Sequence, residues 1–202
     1  GAGDDIIGGF LGADTIDGGA GLDTIALTAT AARLNDALNT QVVNVEAVSA
    51  AGVTTGVAIN LGAQLEGFTI TGGKSDDTIT GGAGADRIQA GDGADAINGF
   101  VGADTIDGGN DFDTVILTAT SATLNTAANS QLVSIEAVSG ASATLSLSIL
   151  LGNQTEGFVI TSGSGSDIIT GGAGADSINA GDGYDTINGF VGADTVNGGL
   201  GV

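Results

Sequence analysis

The sequence predicts an all-β fold in which short parallel strands stack into a solenoid. A nine-residue motif recurs along the 202-residue chain, and a ninety-residue unit recurs above it. The composition favours thin layers over a bulky core, because aromatic residues make up only 3% and Pro, Cys, Met, Trp and His are absent, whereas Gly contributes 38 residues. Any core must therefore be built from Ile, Val, Leu and Ala.

The nine-residue motif reads G-G-x-G-x-D-x-U-x, where U is aliphatic, as in GGAGADRIQ at 81–89 and GGAGADSIN at 171–179. It occurs twelve times. The sixth position is always Asp: Asp5, Asp14, Asp23, Asp77, Asp86, Asp95, Asp104, Asp113, Asp167, Asp176, Asp185 and Asp194. The eighth position is always Ile or Val. Two positions without an exception in twelve copies indicate a repeated structural unit.

Each half of the motif predicts a different local structure. The x-U-x triplet suits a very short strand with its middle side chain pointing inward. The Gly-rich stretch suits a turn, since glycine tolerates positive φ and close backbone approach. Two motifs then make one turn of the solenoid, and parallel turns stack at about 4.8 Å.

This stacking predicts columns of carboxylates. Asp77 falls over Asp95, and Asp86 over Asp104, so bare side chains would repel one another. A cation between turns would relieve the repulsion, and the chain offers only oxygen ligands. Calcium accepts six to eight irregular oxygens, whereas magnesium demands a near-octahedral site and zinc prefers His or Cys. We therefore expect several Ca²⁺ ions, held at the twelve Asp.

The nonapeptide resembles that of the RTX (repeats-in-toxin) family of calcium-binding β-helix repeats. The resemblance implies a right-handed parallel β-roll, in which the Asp side chain and carbonyls of the turn hold Ca²⁺ between turns. It also implies type I secretion from Gram-negative bacteria, with folding outside the cell. Position four departs from the pattern at Ser75 and Asp111, and position two at Phe10, Phe100 and Phe190.

The longer repeat spans ninety residues: 9–98 align with 99–188 without a gap, and 56 of 90 positions are identical. A third copy begins at Gly189, so we expect a segment of a longer protein. With two nonapeptide lengths in each turn, one repeat would make five turns. The sequence divides into RTX blocks at 1–26, 72–116 and 162–202, separated by unlike inserts at 27–71 and 117–161.

The inserts are expected to add solenoid turns with a short helical excursion, and a separate subdomain is the alternative. The stretch ALTATAARLNDALN could place Ala31, Leu34 and Leu38 on one face of a helix. Three later stretches alternate as strands do: Val43/Val45/Ala47, Val57/Ile59/Leu61 and Phe68/Ile70.

Other residues have two interpretations. Phe10, Phe100 and Phe190 recur every ninety residues, and we favour a Phe that covers its own coil over a sticky point for lateral contacts. Glu46, Glu66, Glu136 and Glu156 could be paired catalytic carboxylates, but their identical recurrence without His or Trp favours a structural surface role. Asp92 and Asp182, each between two glycines, are expected to be solvated.

The net charge of −21, with only three basic residues, excludes nucleic acid and anionic membranes as partners. No apolar stretch is long enough for a transmembrane helix. We expect no enzyme but a structural repeat of a secreted bacterial surface protein (surface layer, extracellular fibre or adhesin stalk) that self-associates into a fibre or lattice. A calcium-triggered folding module of a secreted toxin or hydrolase is the alternative, and contact with cell-surface glycans or ice is a third option.

Overall fold

The computed structural model describes residues 1–10 and 14–201. The chain forms an all-parallel β-solenoid of about ten turns, with two short strands in each turn. The odd-numbered strands lie on one face: β1 (Ile6–Gly8), β3 (Thr24–Ala26), β5 (Ala47–Ser49), β7 (Thr69–Thr71), β9 (Arg87–Asp92), β11 (Thr105–Asn110), β13 (Leu132–Val133), β15 (Ser148–Leu150), β17 (Ile168–Thr170) and β19 (Thr186–Asn188). The predicted all-β solenoid is confirmed.

The even-numbered strands form the opposite face. They are β2 (Ile16–Asp17), β4 (Val42–Val43), β6 (Ala58–Asn60), β8 (Thr78–Thr80), β10 (Ala96–Asn98), β12 (Thr114–Ile116), β14 (Ala137–Ser139), β16 (Val159–Thr161), β18 (Ser177–Asn179) and β20 (Thr195–Asn197). Each face is interrupted once: the even face between β4 and β6, and the odd face between β13 and β15.

Within the RTX blocks the register between consecutive turns is two nonapeptides, as predicted. Ile97 pairs with Ile79 on one side and with Val115 on the other. These three aliphatic side chains are fully buried, whereas their strand neighbours such as Thr78 point outward. The core is therefore a stack of single aliphatic side chains from each face, as the eighth position of the motif requires.

The inserts continue the same solenoid. Val48 of the first insert pairs with Ile25 before it and with Ile70 after it, so no break in the odd face separates insert from block. The predicted inward positions of Val57, Ile59 and Leu61 are confirmed, because all three are buried.

The alternation predicted for Val43, Val45 and Ala47 is wrong in part. Val42 is 1% exposed and Val43 is 37% exposed, so it is Val42 that points inward in β4. The reason is a corner at Asn44, whose φ of 50° lies in the left-handed region. This corner resets the alternation between β4 and β5.

The predicted helix is a single turn. An α-helix, α1, spans Ala32–Asn35 in the first insert, and the second insert has only 3₁₀ turns at Leu124–Thr126 and Asn129–Gln131. Leu34 is buried as expected, but Leu38 is 62% exposed and Ala37 is buried instead. The periodic prediction for Leu38 is wrong because the helix ends before it reaches that residue.

Side chains from the helical excursion take the place of a strand at the interrupted face. Asn35 donates its side-chain amide to the Ala58 carbonyl and accepts a hydrogen bond from the Asn60 N–H, while Thr30 Oγ1 accepts from the Ala58 N–H. Asn125 and Thr120 repeat these contacts on β15 in the second insert. The edge strand after each interruption therefore keeps its backbone groups paired.

The ninety-residue repeat makes four and a half turns, and the expected five is wrong. The first copy contributes β2 to β10 and the second β11 to β19, which is nine strands each. The inserts lower the number because their turns are longer than two nonapeptides; the odd-face partners Ile25 and Val48, for example, are 23 apart. Equivalent residues in consecutive copies thus lie on opposite faces, and one copy rises about 22 Å.

The recurrent Phe covers its own coil. Phe10 and Phe100 are 4% and 2% exposed, and each borders the first residues of the insert that follows it, at 27–31 and 117–121. Phe190 is 63% exposed. The favoured interpretation of these residues is confirmed for Phe10 and Phe100.

Truncating the buried Phe should weaken the fold where truncating the exposed one does not. We expect Phe100→Ala to lower the free energy of unfolding by about 3–5 kcal/mol, since it empties a core position. Phe190→Ala is the matched control and should change it by less than about 0.5 kcal/mol. Denaturant unfolding in saturating calcium measures the free energy of unfolding of both variants. A loss for Phe100→Ala as small as the one expected for Phe190→Ala would show that Phe100 has no packing role.

Candidate metal centre

The repeat Asp residues stand at the start of the strands and join each turn to the one before it. Asp77 N–H donates to Asp95 Oδ1 at 2.7 Å, and Asp95 N–H donates to Asp113 Oδ1 at 2.8 Å. On the opposite face, Asp86 N–H donates to Asp104 Oδ1 at 2.9 Å. One oxygen of each carboxylate thus holds the register between turns.

These side chains are withdrawn from solvent. The following repeat Asp are at most 2% exposed: Asp23, Asp77, Asp86, Asp95, Asp104, Asp113, Asp167 and Asp176. Asp5, Asp185 and Asp194, nearer the two ends of the chain, are half-buried. Asp14 is exposed. The pairing of Ile16 with Val42 places Thr40, not an acidic residue, over it, and the Gln41 side-chain amide donates to the Asp14 carbonyl at 3.3 Å.

The second carboxylate oxygen is the unusual feature. Three of these Oδ2 atoms accept a local hydrogen bond, as Asp86 does from Gly82 N–H at 2.7 Å. Seven others are buried without any hydrogen-bond partner: those of Asp23, Asp95, Asp104, Asp113, Asp176, Asp185 and Asp194. A buried anionic oxygen without a partner is costly and calls for a compensating cation.

No basic side chain of the described residues supplies that cation. Among the described residues, Asp5 is the repeat Asp that forms an ion pair, and its partner is the N-terminal amine at 3.3 Å. Arg33 and Arg87 form no ion pair with the buried carboxylates, and neither does Lys74.

Burial without a cationic partner raises the pKa of several repeat Asp. Burial, with a smaller contribution from neighbouring charges such as Asp113, raises the pKa of Asp95 to about 7. Burial likewise raises the pKa of Asp104 and of Asp113 to about 6, and the Glu136 charge contributes to the shift of Asp113. The ion-free column therefore resists holding its full negative charge near neutral pH.

Backbone carbonyls supply further oxygens beside the carboxylates. A Cβ on Gly72 would lie within 3.0 Å of both the Ala90 carbonyl oxygen and Asp77 Oδ2. Gly91, at a φ of +119°, is similarly close to the Gly73 carbonyl. Glycine is required at these positions because a side chain would fill the space between the oxygens of consecutive turns.

This geometry fits a hard cation held between turns. In the described part of the chain no three acidic side chains converge on one point, so an ion would take one or two carboxylates and complete its shell with carbonyls. Such mixed, irregular oxygen sets suit Ca²⁺.

Comparison with protein families decides the assignment. The model of the RTX calcium-binding nonapeptide repeat (4 copies) matches residues 1–25, 69–97, 80–115, 159–187 and 170–202, more than half of the chain. This chain belongs to the RTX calcium-binding repeat family. RTX repeats bind calcium and occur in secreted bacterial proteins. A search of curated proteins found no match.

The RTX matches leave most of both inserts uncovered, and the four Glu of the inserts lie in these uncovered stretches. Glu46 and Glu136 are half-buried, and each accepts a hydrogen bond from the backbone of a repeat Asp at 2.8 Å. The structural surface role expected for these two stays a prediction. Glu66 and Glu156 are exposed and accept from Asn39 and Asn129.

The other acidic residues of the RTX loops lie outside the columns. Asp92 is exposed and accepts from Asn110 Nδ2 at 2.7 Å, and Asp182 is also exposed. Asp111, which replaces the usual glycine at position four, has a φ of +80° in the left-handed region that favours glycine.

Removing the charge of one buried Asp should weaken calcium binding. We expect Asp95→Asn to lower the affinity of the neighbouring sites at least about tenfold, because calcium affinity depends on the number of charged ligands. Asp92→Asn changes the same charge in the same loop and should have little effect. Equilibrium dialysis measures both, and a loss of affinity in the Asp92 variant alone would refute the assignment.

Acid should stabilise the metal-free chain. The folded-state pKa values of Asp95, Asp104 and Asp113 are about 7, 6 and 6, above the ordinary value of 3.8. The folded state therefore binds more protons than the unfolded state between about pH 4 and 7, and stability falls as pH rises through that window.

Circular dichroism of metal-free protein at pH 5 and pH 8 measures this effect. More β structure at pH 5 is expected, and calcium should remove the difference by restoring the fold at pH 8. More β structure at pH 8 than at pH 5 without metal would contradict the inferred burial of ionised Asp.

Proposed function

We propose that this chain is a calcium-binding structural repeat of a secreted bacterial surface protein, such as a surface layer, an extracellular fibre or an adhesin stalk. The observation that carries the proposal is the continuous stacking, along one face, of block on insert on block. Strand β12 of one block pairs with β14 of the insert, β14 pairs with β16 at the end of the insert, and β16 pairs with β18 of the next block. A chain built in this way extends as a rod whose length grows with the number of repeats.

The alternating placement of successive copies supports a role in assembly. Because each copy makes four and a half turns, any surface feature of the repeat recurs on opposite faces of the rod. A contact encoded in one repeat is then presented on both sides, which suits a lattice or a fibre of laterally joined rods.

An enzymatic role is not proposed. The depressions beside Phe10 and Phe100 have volumes of about 100 and 130 Å³, and the depression that Glu46 and Glu66 line together has a volume of about 180 Å³. All three are below the several hundred Å³ of a usual substrate pocket. Glu46 is engaged by the backbone of Asp23, and Glu66 is exposed beside Asn39. The described residues also include no helix able to cross a membrane.

Calcium binding outside the cell would fold the chain. The Gly-rich loops carry a large ordering entropy, and the buried carboxylates repel until a cation joins them. Binding free energy is then folding free energy. The alternative, a calcium-triggered folding module of a secreted toxin or hydrolase, rests on the same carboxylates and differs in having no need to assemble.

A calcium titration followed by light scattering and analytical ultracentrifugation separates the two. For a surface or fibre repeat we expect particle size to grow as calcium saturates the chain, and to fall again in chelator. A chain that gains β structure but stays monomeric at all concentrations would refute assembly and favour the folding module.

A further inference from the structure

We infer that Glu46 and Glu136 are calcium ligands that extend the carboxylate columns from the RTX blocks into the inserts. The inference rests on the proposed calcium binding and adds one ion site at the start of each insert. Neither residue belongs to a nonapeptide, and neither lies in a segment matched by the RTX family model.

The first argument is register. Ala47 of the insert pairs with Thr24 of the block, which places Glu46 directly over Asp23. Asp23 N–H donates to Glu46 Oε2 at 2.8 Å, the same kind of bond that Asp77 N–H makes to Asp95 Oδ1 within a block. Glu46 therefore occupies the position of the repeat Asp in the next turn.

The same substitution recurs in the second copy. Ala137 pairs with Thr114, and Asp113 N–H donates to Glu136 Oε2 at 2.8 Å. The segments E-A-V-S at 46–49 and 136–139 thus mimic the D-x-U-x end of the nonapeptide, with a fully buried Val at the aliphatic position of each.

The need for Glu in place of Asp follows from the length of the turn. Residues 18–23 connect β2 to β3 in the block, whereas only residues 44–46 connect β4 to β5 in the insert. The tight corner is made at Asn44 and at its counterpart Ser134, which both have positive φ. Glu has one methylene more than Asp, and this extra length lets its carboxylate reach the column of Asp carboxylates although the backbone connection is shorter.

The second argument is a buried oxygen that lacks a partner. Asp23 and Asp113 are completely buried, and the Oδ2 atom of each has no hydrogen-bond partner. A Cβ on Gly18 would lie within 3.0 Å of both Asp23 Oδ2 and the Asn44 carbonyl oxygen. These two oxygens therefore border the same small space between block and insert.

The second copy has the same arrangement. A Cβ on Gly108 would lie within 3.0 Å of both Asp113 Oδ2 and the Ser134 carbonyl oxygen. The change from Asn44 to Ser134 leaves the arrangement intact because only the backbone carbonyl takes part.

An ion at this junction would be bound by oxygen alone. Asp supplies one unpartnered carboxylate oxygen, the corner supplies a carbonyl, and Glu supplies a carboxylate of which only one oxygen is used by the backbone of the Asp. Two carboxylates and carbonyls form a set suited to Ca²⁺ rather than Mg²⁺ or Zn²⁺. Such an ion would fasten each insert to the block before it.

The test removes the charge and keeps the hydrogen bond. Glu46→Gln and Glu136→Gln still offer a side-chain oxygen to the backbone N–H of the Asp, so the turns can stack. Equilibrium dialysis at saturating calcium should show one ion fewer for each single variant and two fewer for the double variant. Circular dichroism in calcium checks that each variant folds.

The matched control is the double variant Glu66→Gln/Glu156→Gln. It makes the same change of net charge in the same inserts, but at exposed side chains, and should bind as many ions as the unchanged protein. Equal ion numbers in the two double variants would overturn the inference. If the Glu46/Glu136 double variant does not fold, the single variants, which each keep one junction intact, are counted in its place.

The outcome separates this inference from the proposed function. An unchanged protein that binds no calcium would refute the proposed function itself. An unchanged protein that binds calcium, together with Glu46→Gln and Glu136→Gln variants that bind just as many ions, would refute only the junction sites.

Discussion

The bond on which this structure depends joins a buried carboxylate to the backbone of the turn before it. It fixes the register of consecutive turns, but it brings anions together where solvent is excluded, and Asp95 illustrates the conflict. Its Oδ1 holds Asp77 at 2.7 Å while its Oδ2 has no partner, and burial raises its pKa to about 7. The same group that specifies the fold opposes it when charged, so we expect a bound cation to stabilise the fold. On this account calcium is a structural component rather than an accessory.

The inserts show how a solenoid can change its composition without ending. They keep the aliphatic core column, through Val48 and Ile59, and they replace a missing strand by side-chain contacts from Asn35 and Thr30. Their longer turns affect the whole array. Because each repeat makes four and a half turns, equivalent residues of successive copies lie on opposite faces of the solenoid. A rod of many copies would then be two-sided, although each copy is encoded by the same sequence.

The strictly periodic features could be predicted from the sequence, and those set by distant contacts could not. Ile97 and Asp95 follow from a nine-residue period that fixes both the direction of the side chain and its partner two nonapeptides away. Val42 was missed because its inward direction depends on the left-handed corner at Asn44. Glu46 was missed because its place over Asp23 depends on the length of the turn between them, although the E-A-V-S segment carries a signal once it is compared with D-x-U-x.

The most direct test compares calcium with a salt that only screens charge. Metal-free chain at pH 8 would be followed by far-ultraviolet circular dichroism in about 150 mM NaCl, where exposed charges are largely screened, and then in millimolar CaCl₂ at the same ionic strength. The account predicts little β structure in NaCl and a cooperative gain in calcium, because buried carboxylates need an ion bound between turns. Full β structure in NaCl alone would contradict it.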